Sequence, residues 1–184
     1  MEIYNPDRFL ILHDEIEGVV TDVLTHLMRN SMDHGIETTS QRKRLGKKVW
    51  GTISINISID SEKNVSIEFY DDGIGLNLSR IFAKGLDKEL VDMAMTKTEL
   101  LELIFRPGFS TAEKTTMISG RGVGMDAVRH YVMGLGASFE MIPQIEVDET
   151  MLEKVKALKD DVYLPVVFRS SASLKDFSQI KNSA

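Results

Sequence analysis

Ile16, Val20, Leu24 and Leu27 recur three and four residues apart, which predicts an amphipathic helix from about Asp14 to His34, stopping near Gly35. The period then changes to two. Ile53, Ile55, Ile57 and Ile59 alternate with polar residues, as do Val65, Ile67 and Phe69, and Ser61–Asn64 between them reads as the turn of a hairpin. Residues 78 to 105 return to helical spacing over two or three helices, with Thr96-Lys97-Thr98-Glu99 a capping box ahead of an apolar run. A polar stretch from Ser110 to Gly122 opens onto a helix from about Met125 to Met133. A short strand (Ser138–Ile142), a charged helix-like segment (about 149–159) and an apolar strand over Val162–Phe168 complete the pattern. This order predicts an α+β fold: a two-layer sandwich with a mixed β-sheet carrying helices on one face, in a single domain of 184 residues.

Three polar features stand out against that pattern. On an α-helix, His26, Asn30 and Asp33 fall in one narrow arc bordering the apolar stripe. Each needs a partner there, since an unpaired polar group at a core costs roughly 1–3 kcal/mol. They either satisfy one another and the backbone or share a ligand or ion, and three aimed at one patch favour the ligand. Asp71 has the parity of Val65, Ile67 and Phe69, so its carboxylate faces the core side where Gly73 and Gly75 break the strand. Asp-Asp-Gly is also ordinary turn chemistry. A half-buried carboxylate beside a gap nevertheless suits a flat ligand with an amine donor, such as adenine. Finally, Gly120, Gly122 and Gly124 directly precede a helix, where bare backbone and free N–H groups suit an anion. No G-x-x-x-x-G-K-[ST] occurs, and Gly122–Ala127 fits G-x-G-x-x-A without the buried strand a dinucleotide fingerprint requires. The polar stretch before these glycines reads as a lid.

Composition narrows the classes. With 42% hydrophobic and 27% charged residues the chain can bury a core, and a net charge of −6 argues against nucleic acid as the main partner. The basic run Gln41–Lys48 reads as a solvated loop. The absence of cysteine fits a reducing compartment, and no segment approaches 18 apolar residues, so a cytoplasmic location without membrane contact is expected.

Four segments in order resemble the GHKL ATPases, which include gyrase, heat-shock chaperones, histidine kinases and mismatch-repair MutL. Within that superfamily the chain is similar to the ATP-binding domain of the CheA-type chemotaxis histidine kinases. "HLMRNSMDHGIE" resembles the asparagine box, "DDGIGLN" the first glycine box, "FRPGFST" the phenylalanine box and "SGRGVGMDAV" the second glycine box. The likeness runs from about residue 10 to 142. It implies a Bergerat fold that binds ATP and Mg²⁺. By the same resemblance, Asn30 would ligate the magnesium with His26 close by, as a further metal or transfer-site residue, and Arg29, Asp33 and His34 would line the phosphates and ribose. Asp71 would accept from the adenine amino group, with Gly73 and Gly75 letting the base approach. Gly120, Gly122, Gly124 and Met125 would wrap the phosphates, with Ser110 and Thr111 leading into the lid. The implied partners are a phosphoacceptor histidine domain, a response regulator and a receptor-coupling protein.

Two departures shape the reading. The hydrolases of the superfamily carry a glutamate where this chain has His26, which favours transfer of the γ-phosphoryl to a histidine over hydrolysis. The family's G-x-G-T turn is absent, and residues 143–184 diverge. A two-component histidine kinase is therefore the first expectation. A catalytically silent nucleotide-binding module of the same fold is the second, and a GHKL ATP hydrolase the third.

Overall fold

The computed structural model describes residues 14–109 and 124–173. Ser110, Thr111, Gly120 and Gly122 lie outside the described residues. The predicted first helix is α1, Asp14–Asn30, but its expected last turn, Ser31–Gly35, is a π turn. The Ile36 N–H reaches the Ser31 carbonyl at 2.7 Å, five residues back. A short helix, α2 (Thr39–Arg44), begins with a capping box between Thr38 and Gln41. Gly46, at φ 69°, turns the chain away beyond its end.

Strands β1 (Ile53–Ile59) and β2 (Asn64–Asp71) form the predicted hairpin, with Ile57 opposite Ile67 and Ile53 opposite Asp71. The apolar strand expected over residues 162–168 divides at Pro165, which has no N–H for a ladder. Tyr163–Leu164 becomes β5 and pairs with β3 (Leu76–Asn77), while Val166–Ser173 becomes β6. The sheet was expected to be mixed, but its described strands pair antiparallel throughout, in the order β1-β2-β6-β4, with β4 spanning Ser138–Pro143. The cause is topological: β6 enters between β2 and β4 and runs antiparallel to both.

Helices α3 (Leu78–Asp87), α4 (Lys97–Glu102), α5 (Met125–Gly134) and α6 (Glu149–Ala157) complete the fold. The capping box predicted for α4 is present: the Thr96 N–H donates to Glu99 Oε2 at 2.8 Å and the Glu99 N–H to Thr96 Oγ1 at 3.3 Å. α1 and α5 cover one face of the sheet, packing Val23, Leu27, Val128 and Val132 against Phe69 and Phe139. A second core gathers α3, α4, α6 and β5 around Phe82, Leu100, Leu103, Val155 and Leu164. Phe105 joins the two, meeting Phe139 edge-on with centroids 6.1 Å apart. The other sheet face is polar, with Ser58, Ser66, Ser171 and Ser138 in register across all four strands. Among the described residues no helix is long and apolar enough to cross a membrane.

Phe82 has no exposed surface and anchors the second core. Phe82→Ala is expected to cost about 3–5 kcal/mol, whereas Thr96→Ala, which removes one helix cap, is expected to cost about 1 kcal/mol. Urea denaturation of the two variants checks that ordering.

Candidate functional site

The site is built around the end of α1. In its last helical turn the Asn30 amide nitrogen lies 3.0 Å from His26 Nε2, the i, i+4 neighbour, and 3.8 Å from the Met125 sulfur at the start of α5. An amide nitrogen only donates, so His26 Nε2 holds a lone pair and the ring proton sits on Nδ1. Burial, then the positive charge of Arg29, lowers the His26 pKa from its usual 6.5, against an opposing pull from Asp126. His26 is therefore neutral at neutral pH. Asn30 Oδ1 takes no hydrogen bond from the described residues.

The π turn then changes the direction of the side chains. Ser31 is buried, and its hydroxyl donates to Asp71 Oδ2 at 2.5 Å. The other carboxylate oxygen, Oδ1, accepts the Gly73 N–H at 2.9 Å. The Gly35 carbonyl accepts the Ile74 N–H at 2.8 Å, so helix end and strand end are laced together. A β-carbon on Gly73 would lie 2.2 Å from that Gly35 carbonyl oxygen. Gly75 has φ 84°, and a β-carbon there would meet the Leu164 carbonyl oxygen at 2.5 Å. Both glycines are thus required by close approach of this chain's own backbone.

Behind Asp71 lies an ionic network that the sequence pattern conceals. Arg42 is 1% exposed, within the run expected to be a solvated loop. That expectation fails at Arg42 and Lys47, because a buried guanidinium needs partners and the chain supplies them. Arg42 donates to Glu37 Oε2 at 2.9 Å, to Asp72 Oδ2 at 2.8 Å and, through Nε, to the Lys48 carbonyl at 2.7 Å. Lys47 Nζ donates to Glu37 Oε1 at 2.5 Å and to the carbonyls of Asp72 and Gly73 at 3.0 and 2.9 Å. Asp72 Oδ1 accepts the Thr52 N–H at 2.8 Å. Burial pushes the Glu37 and Asp72 carboxyls upward. It is outweighed at Glu37 by the hydrogen bond and charge of Lys47 with help from Arg42, and at Asp72 by the Thr52 N–H and Arg42, so both stay below the ordinary carboxylate range.

The predicted residues therefore divide. Asn30 meets both His26 and Met125, and Asp71 meets Gly73 through the turn and the helix end through Ser31. Gly124 caps α5 and stands beside the Asp126 carboxylate. Asp33 does not share the arc of His26 and Asn30, because the π turn shifts its register; it and His34 lie at the surface end of the turn, and both are exposed. Arg29 is half-buried and acts on His26 by charge alone. Sequence reasoning missed Ser31, Glu37, Arg42 and Lys47. Glu37 closed a recognised motif, but nothing in the pattern distinguishes Arg42 from its exposed neighbours Lys43 and Arg44. Among the described residues, an apolar cleft between α1, α5 and the sheet includes none of the predicted site residues, and Ser170 is the one polar side chain lining it.

Comparison with known proteins adds an independent view. The family model described as "Histidine kinase-, DNA gyrase B-, and HSP90-like ATPase" matches residues 19–156. The "Chemotaxis protein CheA" of Salmonella typhimurium is 46% identical over 127 residues, covering 68% of this chain and 19% of that protein. The "Gliding motility regulatory protein" of Myxococcus xanthus is 44% identical over 125 residues, covering 66% of this chain and 16% of that protein. The "Chemotaxis protein CheA" of Bacillus subtilis is 42% identical over 123 residues, covering 65% and 18%. The chain thus spans less than a fifth of the length of these relatives. Among solved structures, the histidine kinase domain from the Erythrobacter litoralis EL346 blue-light activated histidine kinase aligns at TM-score 0.44 and 12% identity, covering 92% of this chain and 50% of that one.

The Glu37 pKa lies below its ordinary 4.5 in the folded protein, so the ionised carboxylate contributes stability above that pH and the contribution is lost as pH falls through the lower folded value. Glu37→Gln is expected to lower the melting temperature by several degrees at neutral pH. The gap to the unsubstituted protein should then narrow as the solution is acidified below pH 4.5. Thermal melts over a pH series check this, and a constant gap would mean the charge of Glu37 is not what the network uses.

Proposed function

The chain belongs to the histidine kinase-, DNA gyrase B-, and HSP90-like ATPase family, and on that premise we propose that it is the ATP-binding catalytic domain of a CheA-like sensor histidine kinase. It passes the γ-phosphoryl of ATP to a histidine on a separate phosphoacceptor domain, which in turn supplies a response regulator, with a receptor-coupling protein as a further partner. The observation that carries the reading is the division of labour between two consecutive residues. Asn30 faces His26 and the start of α5, while Ser31 holds Asp71. One helix end thus addresses both the purine and the phosphate sides of a nucleotide.

In this reading Asp71, with one oxygen on Ser31 and the other on the Gly73 N–H, keeps lone pairs for the adenine amino group. The start of α5, from Gly124 and Met125, offers free N–H groups to phosphate. Gly120, Gly122, Ser110 and Thr111 would add the lid, and Arg29, Asp33 and His34 the nearby polar surface. Asn30 Oδ1 suits Mg²⁺, a hard cation that takes few protein oxygens and keeps phosphates and waters as its other ligands. Magnesium would neutralise charge on the transferring phosphoryl group. His26 fits this ion less well, because its Nε2 lone pair is turned to the Asn30 amide. Its role here is to hold that amide so that Oδ1 points away. The transfer itself breaks the bond from the γ-phosphorus to the β,γ-bridging oxygen and forms a bond to an imidazole nitrogen. ADP leaves with the electron pair, and the imidazole proton passes to water.

The missing G-x-G-T turn favours a second reading, a catalytically silent module that binds nucleotide and signals its occupancy. Incubation with radiolabelled ATP, Mg²⁺ and the acceptor domain in trans separates the two. Label on the acceptor that vanishes in Asn30→Ala supports the kinase; tight ADP binding with no label supports the silent module; steady phosphate release without acceptor points to a hydrolase. By isothermal titration with ADP and Mg²⁺, Asp71→Asn is expected to abolish detectable binding, because an amide presents donors where the adenine amino group needs an acceptor. Undiminished affinity would displace the base from Asp71.

A further inference from the structure

Asp71 is the last residue of β2, and its orientation is set by the turn that leaves the strand. Its Oδ1 accepts the Gly73 N–H at 2.9 Å, so the Gly73 peptide plane and the carboxylate turn together. Two cations hold that turn from behind without touching Asp71. Lys47 Nζ binds the Asp72 and Gly73 carbonyls at 3.0 and 2.9 Å, and Arg42 binds the Asp72 carboxylate at 2.8 Å. Glu37, 3% exposed, receives both cations and fixes their positions. The network is fully partnered, and its output is a single orientation of one peptide.

We infer that Lys47 and Arg42 are positioning residues for purine recognition: they hold the Gly73 peptide whose N–H aims the Asp71 carboxylate, and so set adenine affinity without contacting the nucleotide. The inference rests on the proposal that Asp71 receives the purine. It distinguishes the network from a purely stabilising one, because only a positioning role makes adenine binding more sensitive than phosphate binding. Group positions in a binding site matter on the scale of about half an ångström, and supporting residues supply that precision.

Lys47 is the better residue to probe, since its side chain is 33% exposed and Met keeps the alkyl stem. Lys47→Met is expected to weaken ADP binding about tenfold, the loss of roughly one net hydrogen bond in alignment. Binding of inorganic triphosphate with Mg²⁺, monitored by chemical-shift titration, should be unchanged, and Lys47→Arg should restore most of the ADP affinity. If Lys47→Met does not fold, Asp72→Asn, which keeps the oxygen facing Thr52 but loses the charge facing Arg42, is expected to show the same selective loss. Asp71→Asn runs alongside. Should it leave ADP affinity intact, the placement of the purine fails and this inference with it. If instead Asp71→Asn abolishes binding while a folded Lys47→Met binds ADP as tightly as the unsubstituted protein, or loses both ligands equally, the positioning role alone is overturned.

Discussion

A guanidinium almost without access to water is the constraint on which the polar half of this molecule depends. Removing a charge from water is unfavourable unless geometry and hydrogen bonds offset the loss. Arg42 meets that demand by drawing in Glu37 from just after the π turn, Asp72 from just after β2 and the Lys48 carbonyl from its own loop. Two near neighbours in sequence and one residue thirty positions away thereby share one ionic centre. Lys47 fills the remaining acceptors of Glu37 and ties down the carbonyls after Asp71. Replacing any one member leaves the others charged and stranded, so the network behaves as a unit.

The π turn is the second device, and it works with the first. A regular helix would have kept Asn30 and Asp33 on one arc. Widening the helix at Ser31 instead turns Ser31 toward Asp71 and leaves Asp33 in solvent. π turns of this kind are rare and recur at functional sites. Here the adjacent pair Asn30 and Ser31 addresses two different elements, α5 and β2. The neutral His26 ring supports the same arrangement, since a protonated ring could not accept from the Asn30 amide.

The two hydrophobic cores explain why such a polar site can be held rigidly. One fastens α1 and α5 to the sheet, and the other fastens α3, α4 and α6 around β5. Leu164 belongs to the second core, and its carbonyl stands where Gly75 leaves no room for a side chain. The C-terminal strand β5 therefore contributes to the site region. Strand β6 follows it and runs between β2 and β4.

Elements with a strong period were legible in the sequence: α1 from its three-four spacing, the β1–β2 hairpin from alternation, and the α4 start from its capping box. These are local, depending on residues a few positions apart. The inward parity of Asp71 and the pairing of His26 with Asn30 are local too, and both could be read before any fold was known. What required the tertiary structure was everything decided by partners far along the chain. The sheet became antiparallel because β6 enters beside β2, more than ninety residues after it in sequence. Ser31 makes the helix end answer to Asp71, forty residues away. Arg42 is buried while Lys43 and Arg44 are wet, although the three are consecutive and all basic. Composition and periodicity cannot distinguish them, because what buries a charge is the arrival of its counter-charges, and those come together only when the chain has folded.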